Sequence, residues 1–169
     1  MLIFAIGQFG NLDATNLWLM MMHNMRLLQG YVAFARRLMP FGELPRQDTE
    51  LVILRVAWNC RSRYEWGQHV DIGMRVGLQP EQIARIAQGP DAPGWEHRQV
   101  ALLRAADEFH HERMISESTW QMLAGFLDQR LLLELLMLIG FYEGLAGALN
   151  SAGLPLDAAP ERLLTGLKP

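Results

Sequence analysis

Proline and glycine residues divide this chain into segments whose apolar residues recur at the spacing of an α-helix. No segment shows polar and apolar residues alternating between turn signals, which is the pattern of a half-buried β-strand. Residues that cap helix N-termini well, such as Ser116 and Asp128, stand just before two of the apolar segments. The sequence therefore predicts an all-α fold.

The breaks between segments set the approximate ends of the predicted helices. A helical pair is expected from about Thr15 to Met39, broken near Asn24 and ended by Pro40. The later helices are expected from Pro45 to about Trp58, from Ser62 to Val76, from Pro80 to just before Gly89, from Glu96 to Glu112, from Ser116 to Phe126, and from Asp128 to a stop at Gly153 and Pro155. The last of these is the final helix of the prediction.

The chain has the length of one domain. Its 169 residues are enough to bury a core without disulfides or metals, and half of them are hydrophobic. No repeat, linker or low-complexity stretch marks a domain boundary. Residues 1–169 are therefore predicted to form a single domain.

Charge and hydrophobicity argue against two classes of partner. The net charge is -3 and no basic run occurs, so the sequence has no electrostatic footprint for nucleic acid. The stretch from Leu131 to Leu149 is nearly long enough to cross a membrane, but Glu134 and Glu143 would each be costly in hydrocarbon. We predict neither nucleic acid nor a membrane as a partner, and we interpret the stretch as a buried or subunit-contact helix.

The cysteine content and the N-terminal residues bear on the cellular compartment. Cys60 is the one cysteine of the chain, so no disulfide can form within it, which suits a reducing compartment. The apolar opening MLIFAIG has no basic region and no small-residue cleavage pattern after it, so we interpret it as packing rather than targeting. These features favour a cytoplasmic protein.

Four polar residues form the array that is most informative about function: Glu50, Ser62, Glu65 and His69. On a helix that begins near Ser62, positions three, four and seven apart share one face, so Glu65 and His69 would lie on one wall with Ser62. Glu50 belongs to the preceding helix, and folding would have to bring it alongside. A carboxylate and an imidazole on one face can exchange a proton with a bound molecule. The spacing thus indicates a candidate site for general acid and base chemistry.

Members of this array also have a structural interpretation. Ser62 and Glu65 fit a capping box, in which the serine oxygen accepts from an amide of the first turn and the glutamate accepts from the serine amide. His69 could be a hydrogen-bonded interior histidine. The sequence alone leaves the structural and the catalytic interpretation open.

Two further features near the array are ambiguous in the same way. Glu50 could simply pair with Arg46 or Arg55 on its own helix. Trp58, Tyr64 and Trp66 could line a pocket for an organic substrate, although aromatic residues at a helix junction more often belong to the core.

A metal site is not predicted. Glu108 and His111 form a Glu-x-x-His pair of the kind that di-iron bundles use, but those bundles need a second such pair and two further glutamates. The second pair is missing, as is a His-Glu-x-x-His zinc motif. The adjacent His110 and His111 are expected on a solvated or interfacial helix face, and no cofactor is predicted.

The N-terminal helix predicts self-association. Trp18, Leu19 and the three methionines that follow make it apolar nearly all round. Together with the stretch from Leu131 to Leu149, it offers more hydrophobic surface than one small bundle can bury. We therefore expect a homo-oligomer.

One stretch of the chain resembles the core of the carboxymuconolactone decarboxylase family, which includes the alkylhydroperoxidase-D-like proteins. It reads LPRQDTELVILRVAWNCRSRYEWGQHVDIGMRVGL, and a Pro-Glu-Gln-Ile helix follows. The resemblance is strong over residues 44–89 and looser over residues 102–156. It implies an all-helical, homo-oligomeric subunit with its active site beside the motif helices. Residues from about 44 to 156 would form the core, and residues from about 1 to 43 an N-terminal helical extension.

The peroxidase branch of that family has a glutamate, then Cys-x-x-Cys, then a histidine four residues on. Here Glu50 and His69 match the outer positions, but Ser62 and Glu65 stand where the cysteines would be. Cys60 lies two residues before the first cysteine position and cannot replace a dithiol, in which one thiolate attacks peroxide and the second thiol resolves the sulfenic acid. A one-cysteine peroxidase that uses an external thiol stays open as an alternative.

The Glu-Trp-Gly-x-His form is closer to the decarboxylase branch. The resemblance then implies cofactor-free proton transfer on a small carboxylated or lactone-like organic acid. Glu65 and His69, with Glu50 close by, are the predicted catalytic residues.

The substrate-binding residues are predicted from what this chemistry needs. A substrate anion requires hydrogen-bond donors, which Arg55, or alternatively Arg63 or Arg75, could supply. Ser62 and Trp66 complete the predicted binding set. A non-enzymatic ligand-binding or assembly subunit is the remaining alternative.

Overall fold

The computed structural model describes residues 14–166. Within that range the chain forms nine helices, numbered here in chain order: α1 Thr15–Met22, α2 Met25–Leu38, α3 Arg46–Asn59, α4 Arg63–Arg75, α5 Pro80–Gln88, α6 His97–Glu112, α7 Glu117–Ala124, α8 Gln129–Ser151 and α9 Ala158–Gly166. Because the described residues contain no β-strand, the predicted all-α class is confirmed. The apolar opening MLIFAIG lies outside the described residues.

The predicted breaks and caps are confirmed where the capping side chains are engaged. The Asn24 side chain accepts a hydrogen bond from the Leu27 amide at 3.0 Å and separates α1 from α2. The Asp128 side chain accepts from the Leu131 amide at 2.8 Å and starts α8. Each cap satisfies an amide that has no partner inside its own helix.

The expectation that α8 is the last helix is wrong, because α9 follows it. Pro160 is the third residue of α9, in the first helical turn, where the amide that proline lacks has no helical acceptor to lose. The helix packs against α4, and the Arg63 guanidinium donates to the Glu161 carboxylate at 2.5 Å. The stop predicted at Gly153 and Pro155 is therefore followed by one more helix.

Helix α3 lies at the centre of the fold. It packs against α4, α5, α6 and α8, and Val52, Ile53 and Leu54 on successive sides of it are completely buried. Every residue of α3 from Asp48 to Leu54 is buried, so Glu50 is buried with its neighbours. The packing of α3 on α4 brings this carboxylate next to the second part of the predicted array.

Helix α8 is long and apolar enough to cross a membrane by length and composition alone. It packs on α3, and Leu135, Leu138 and Ile139 belong to the main hydrophobic core. These contacts favour the interpretation of α8 as a helix of the bundle.

The described surface keeps large apolar side chains on α1, α2 and α8. Leu19, Leu27 and Leu133 are 54%, 58% and 60% exposed. Because water solvates such side chains poorly, we expect them to pack against further copies of the chain. The protein should then scatter light as a stable oligomer at micromolar concentration, and a stable monomer under those conditions would contradict the expectation.

Candidate active site

The structure brings Glu50 and His69 into direct contact. The Oε2 atom of Glu50, on α3, lies 2.6 Å from Nδ1 of His69, on α4. Glu50 has no exposed surface and His69 is only 6% exposed. The carboxylate and the imidazole therefore interact away from bulk water, where their attraction is stronger than at the surface.

Arg46 holds the other oxygen of Glu50. Its Nη2 atom donates to Oε1 at 2.8 Å, one helical turn earlier on α3. The pairing that the sequence offered as a structural alternative is thus present, and it coexists with the contact to His69. Since both carboxylate oxygens are engaged, Glu50 is fixed in position and its charge is balanced by the guanidinium.

The contact with Glu50 sets the tautomer of His69. A carboxylate accepts hydrogen bonds, so Nδ1 carries a proton and donates, and in the neutral form of the ring Nε2 holds the lone pair. The ring also packs edge-on against Tyr142, with a distance of 5.1 Å between ring centroids. An oriented imidazole with a basic Nε2 is the arrangement of a general base.

Glu65 is buried without a hydrogen-bond partner for its carboxyl group. It is 2% exposed, and neither carboxylate oxygen has a hydrogen-bond partner. Burial raises the pKa of Glu65 well above its ordinary value, because the charged form cannot be solvated there. Burial therefore favours the protonated form of Glu65, which can donate a proton.

The capping-box interpretation of Ser62 and Glu65 is wrong. Ser62 does occupy the N-cap position of α4, but its side chain makes no capping hydrogen bond and its Oγ has no partner. The Ser62 amide already donates to the Ala57 carbonyl at 2.9 Å, so Glu65 has no free amide to accept from. Glu65 is directed into the protein instead.

Glu65 and His69 both line a cavity of about 70 Å³ between α1, α2, α4 and α8. Its wall is mostly apolar, with Trp18, Ile72 and Leu145 among its residues. A volume of this size exceeds the roughly 10–15 Å³ that a single water molecule requires. The space can admit a small organic group next to the acid and the base.

Two tyrosines complete the polar part of the cavity. Burial, with Glu65 nearby as the second cause, raises the pKa of Tyr31 far above its ordinary value. Burial also raises that of Tyr142, with added contributions from Tyr31, Glu50 and Glu65. Both hydroxyls stay protonated, and both tyrosines line the cavity. They are available as neutral donors.

A buried carboxylate connects two of the helices that form the cavity wall, α1 and α4. Asp157, just before α9, accepts hydrogen bonds from Tyr64 Oη at 2.6 Å and Gln68 Nε2 at 2.8 Å, both on α4. Its other oxygen accepts from the Asn16 amide on α1 at 3.0 Å. The Tyr64 hydroxyl also accepts from the Leu17 amide at 3.1 Å. The N-terminal helix is thereby fixed as one side of the site.

None of the predicted binding residues, Arg55, Ser62 and Trp66, belongs to the described lining of this cavity. Arg55 donates to Asp107 at 2.6 Å and to the Ile86 carbonyl at 2.8 Å, away from the cavity wall. Arg63 is paired with Glu161, and Arg75 with Asp71. The described lining of the cavity contains neither arginine nor lysine, so its donors are uncharged.

Ser62 and Trp66 border a different, more open depression. Its volume is about 450 Å³, and Trp58 and Arg61 also line it. The indoles of Trp58 and Trp66 lie 5.3 Å apart. Of the predicted binding residues, Ser62 and Trp66 thus lie at the open depression and Arg55 lies at Asp107. Of the predicted catalytic residues, Glu65 and His69 line the smaller cavity, and Glu50 contacts His69.

The sequence match decides the family. Residues 26–108, from within α2 to within α6, match the profile of the carboxymuconolactone decarboxylase family. The chain belongs to this family. The matched region contains Glu50, Glu65 and His69, whereas Trp18 and Tyr142 lie outside it.

Solved structures of low sequence identity share the family's alkylhydroperoxidase-D-like fold. One is ATU0492 from Agrobacterium tumefaciens, a protein of unknown function named as a candidate antioxidant defence protein AhpD; it has a TM-score of 0.72 at 14% identity, over 78% of this chain and 90% of that one. Another is an uncharacterized peroxidase-related protein from Silicibacter sp. TM1040, with a TM-score of 0.73 at 16% identity, over 80% of this chain and 73% of the other.

A third similar structure is the debrominase Bmp8, solved as a cysteine-to-alanine variant in complex with 2,3,4-tribromopyrrole. Its TM-score is 0.71 at 14% identity, over 88% of this chain and 80% of that one. At such identities these structures show the fold alone. A comparison with curated proteins gives no significant sequence match.

Proposed function

We propose that this family member is an enzyme that transfers protons on a small carboxylated or lactone-like organic acid, as a decarboxylase-like lyase without a cofactor. One observation carries the proposal: a buried Glu65 without a hydrogen-bond partner shares an apolar cavity with a His69 that Glu50 holds through Nδ1. Catalysis of this kind usually relies on two titratable groups whose different surroundings make one an acid and the other a base.

Glu65 is the proton donor in the proposed reaction. When the bond from the substrate carbon to its carboxylate breaks, carbon dioxide leaves and the electron pair stays on the carbon, delocalised into a conjugated carbonyl. The neutral Glu65 carboxyl then gives its proton to that carbon and becomes a carboxylate. Its burial without a partner supports this role, because a buried carboxyl holds its proton until a stronger base is adjacent.

His69 restores the proton to Glu65. Its Nε2 accepts a proton that derives from solvent and passes it on within the cavity, while Glu50 stabilises the imidazolium formed in between. Arg46 keeps Glu50 oriented toward the ring throughout.

The uncharged lining of the cavity favours the loss of the substrate carboxylate as neutral carbon dioxide. A free carboxylate buried without a cation would be costly, whereas a lactone carbonyl needs only hydrogen-bond donors. The hydroxyls of Tyr31 and Tyr142 can donate to such an oxygen and stabilise the negative charge that develops on it.

The proposal is tested with a panel of small unsaturated lactones that carry a carboxylate, incubated with the protein in D₂O. Carbon dioxide release, together with one deuterium at the carbon that lost it, is the expected result by NMR. Two matched controls, Glu81→Gln and His97→Ala, change exposed residues of the same types and should keep full activity. Absence of both signals across the panel would count against the proposal.

The second candidate function is reduction of organic peroxides, which the half-buried Cys60 and the names of two similar structures favour. Burial, followed by the charges of Glu143 and Glu65, raises the pKa of the Cys60 thiol to about 11, so little reactive thiolate exists at neutral pH. Cysteine is absent from the described lining of the catalytic cavity.

We therefore expect no dithiol-dependent reduction of cumene hydroperoxide above the rate of a Cys60→Ser variant. Peroxide consumption is followed with dithiothreitol as the reductant. Rapid turnover that disappears in Cys60→Ser would restore the peroxidase interpretation.

A further inference from the structure

Three potential metal ligands from three helices converge outside the catalytic cavity. They are Cys60 at the C-terminal end of α3, His110 on α6 and Glu143 on α8, and their ligand atoms lie within 4.8 Å of one another. The His110 Nδ1 atom is 3.8 Å from Cys60 Sγ and 2.7 Å from Glu143 Oε1. We propose that this cluster binds a divalent metal ion of the zinc class.

The donor set fits such an ion. Zinc binds thiolate sulfur, imidazole nitrogen and carboxylate oxygen, whereas magnesium and calcium favour oxygen alone. Zn–S and Zn–N bonds of about 2.3 and 2.0–2.1 Å at a tetrahedral angle place sulfur and nitrogen about 3.6 Å apart. The observed separation of 3.8 Å between Sγ and Nδ1 is close to that value.

The carboxylate needs a small movement. Tetrahedral geometry places a ligating nitrogen and oxygen about 3.4 Å apart, so Glu143 Oε1 would withdraw by a fraction of an ångström from His110 Nδ1. The hydrogen bond between them would be exchanged for two bonds to the metal. Ion binding therefore requires no rearrangement of the helices.

Neighbouring contacts already hold the ligands in place. The Asn150 side chain on α8 donates to the Cys60 carbonyl at 2.8 Å and fixes the end of α3. Arg113 is paired with Oε2 of Glu143, which leaves Oε1 directed at His110. Contacts that orient the ligands in this way are typical of metal sites. Arg113 also offsets the negative charge that a thiolate and a carboxylate would share.

Three protein ligands leave a fourth position open. The His110 and Glu143 side chains are 25% and 10% exposed, so water can reach the cluster. An open, partly exposed position makes the ion exchangeable, in contrast to the closed four-ligand sites that zinc uses for structure alone. Motif spacing could not predict the cluster, because Cys60 and His110 are 50 positions apart in the chain and His110 and Glu143 are 33 apart.

The test uses the full-length, metal-free protein and Zn²⁺, with affinity measured by calorimetry. One ion per chain should bind, and Cys60→Ser, His110→Ala and Glu143→Gln should each weaken binding by about 100-fold or more, since even the loss of an outer contact costs about 10–100-fold. The matched controls are His97→Ala and Glu112→Gln, which alter exposed residues of the same types and should stay within about threefold of the original affinity.

Two further measurements, one spectroscopic and one chemical, do not depend on the proposed enzymatic activity. The chemical measurement uses only the unaltered protein, so it does not depend on the folding of a variant. Co²⁺ should give a thiolate-to-cobalt absorption band that Cys60→Ser lacks, and saturating Zn²⁺ should slow alkylation of Cys60 in the unaltered protein. The proposal is overturned if Zn²⁺ leaves the alkylation rate unchanged, or if His97→Ala weakens binding as much as His110→Ala does.

Discussion

Replacing His69 with alanine should lower the turnover rate by about two to four powers of ten, as is typical for the loss of a general acid or base. The imidazole is the one group that Glu50 orients toward the cavity, so no neighbouring side chain can assume its role. Initial rates on the substrate found in the lactone screen give the measurement. Circular dichroism should show the same helical content, because His69 belongs to the cavity wall rather than to the main core.

Glu65→Gln should lower the rate by a similar factor, since glutamine preserves the shape of the side chain but has no acidic proton. A double variant of Glu65 and His69 should lose little more than either single variant, because residues that act in one proton-transfer sequence are not additive. If Glu65→Gln keeps full activity while His69→Ala does not, Glu65 is not the proton donor.

The sequence predicted the helical framework well because helix ends depend on nearby residues. Asn24 and Asp128 cap the helices that follow them, and both signals are local in the chain. Helix α9 could not be predicted in this way. Pro160 is compatible with a first helical turn as well as with a break, and the contact that favours the helix is the long-range packing of α9 on α4.

The catalytic residues could be predicted in part. Glu65 and His69 share a helix, so their spacing places them on one face, and the family pattern added Glu50 from the preceding helix. The state of Glu65 could not be predicted. Its spacing with Ser62 also fits a capping box, and the decision depends on the Ala57 carbonyl, which takes the Ser62 amide.

The predicted substrate-binding residues do not line the cavity, and the reason is physical. The sequence identifies arginines as donors, but Arg55 is used by Asp107, which lies 52 residues away in the chain. Tyr31 and Tyr142 come from α2 and α8 and carry no local signal of a site. Long-range pairing therefore determines which polar side chains are left free for a substrate.

The burial of Glu65 should also appear in the stability of the protein, without any substrate. The folded-state pKa of Glu65 is raised above its unfolded value of about 4.3, so between these two values the native protein holds a proton that the unfolded chain has released. The contribution of Glu65 to stability is fully present below the unfolded pKa and is lost as the pH rises toward the folded pKa. The loss amounts to about 1.4 kcal/mol for each pH unit within that window.

Glu65→Gln removes this titration. The difference in free energy of unfolding between the two proteins should therefore shift in favour of the variant as the pH rises above the unfolded pKa of Glu65. Urea unfolding at several pH values gives the difference, in which the other titrating groups cancel because both proteins share them. The matched control, Glu81→Gln, removes an exposed carboxyl and should follow the original protein at every pH. A constant difference between Glu65→Gln and the original protein would mean that Glu65 ionises like a solvated carboxyl. It would then lack the proton that the proposed reaction requires.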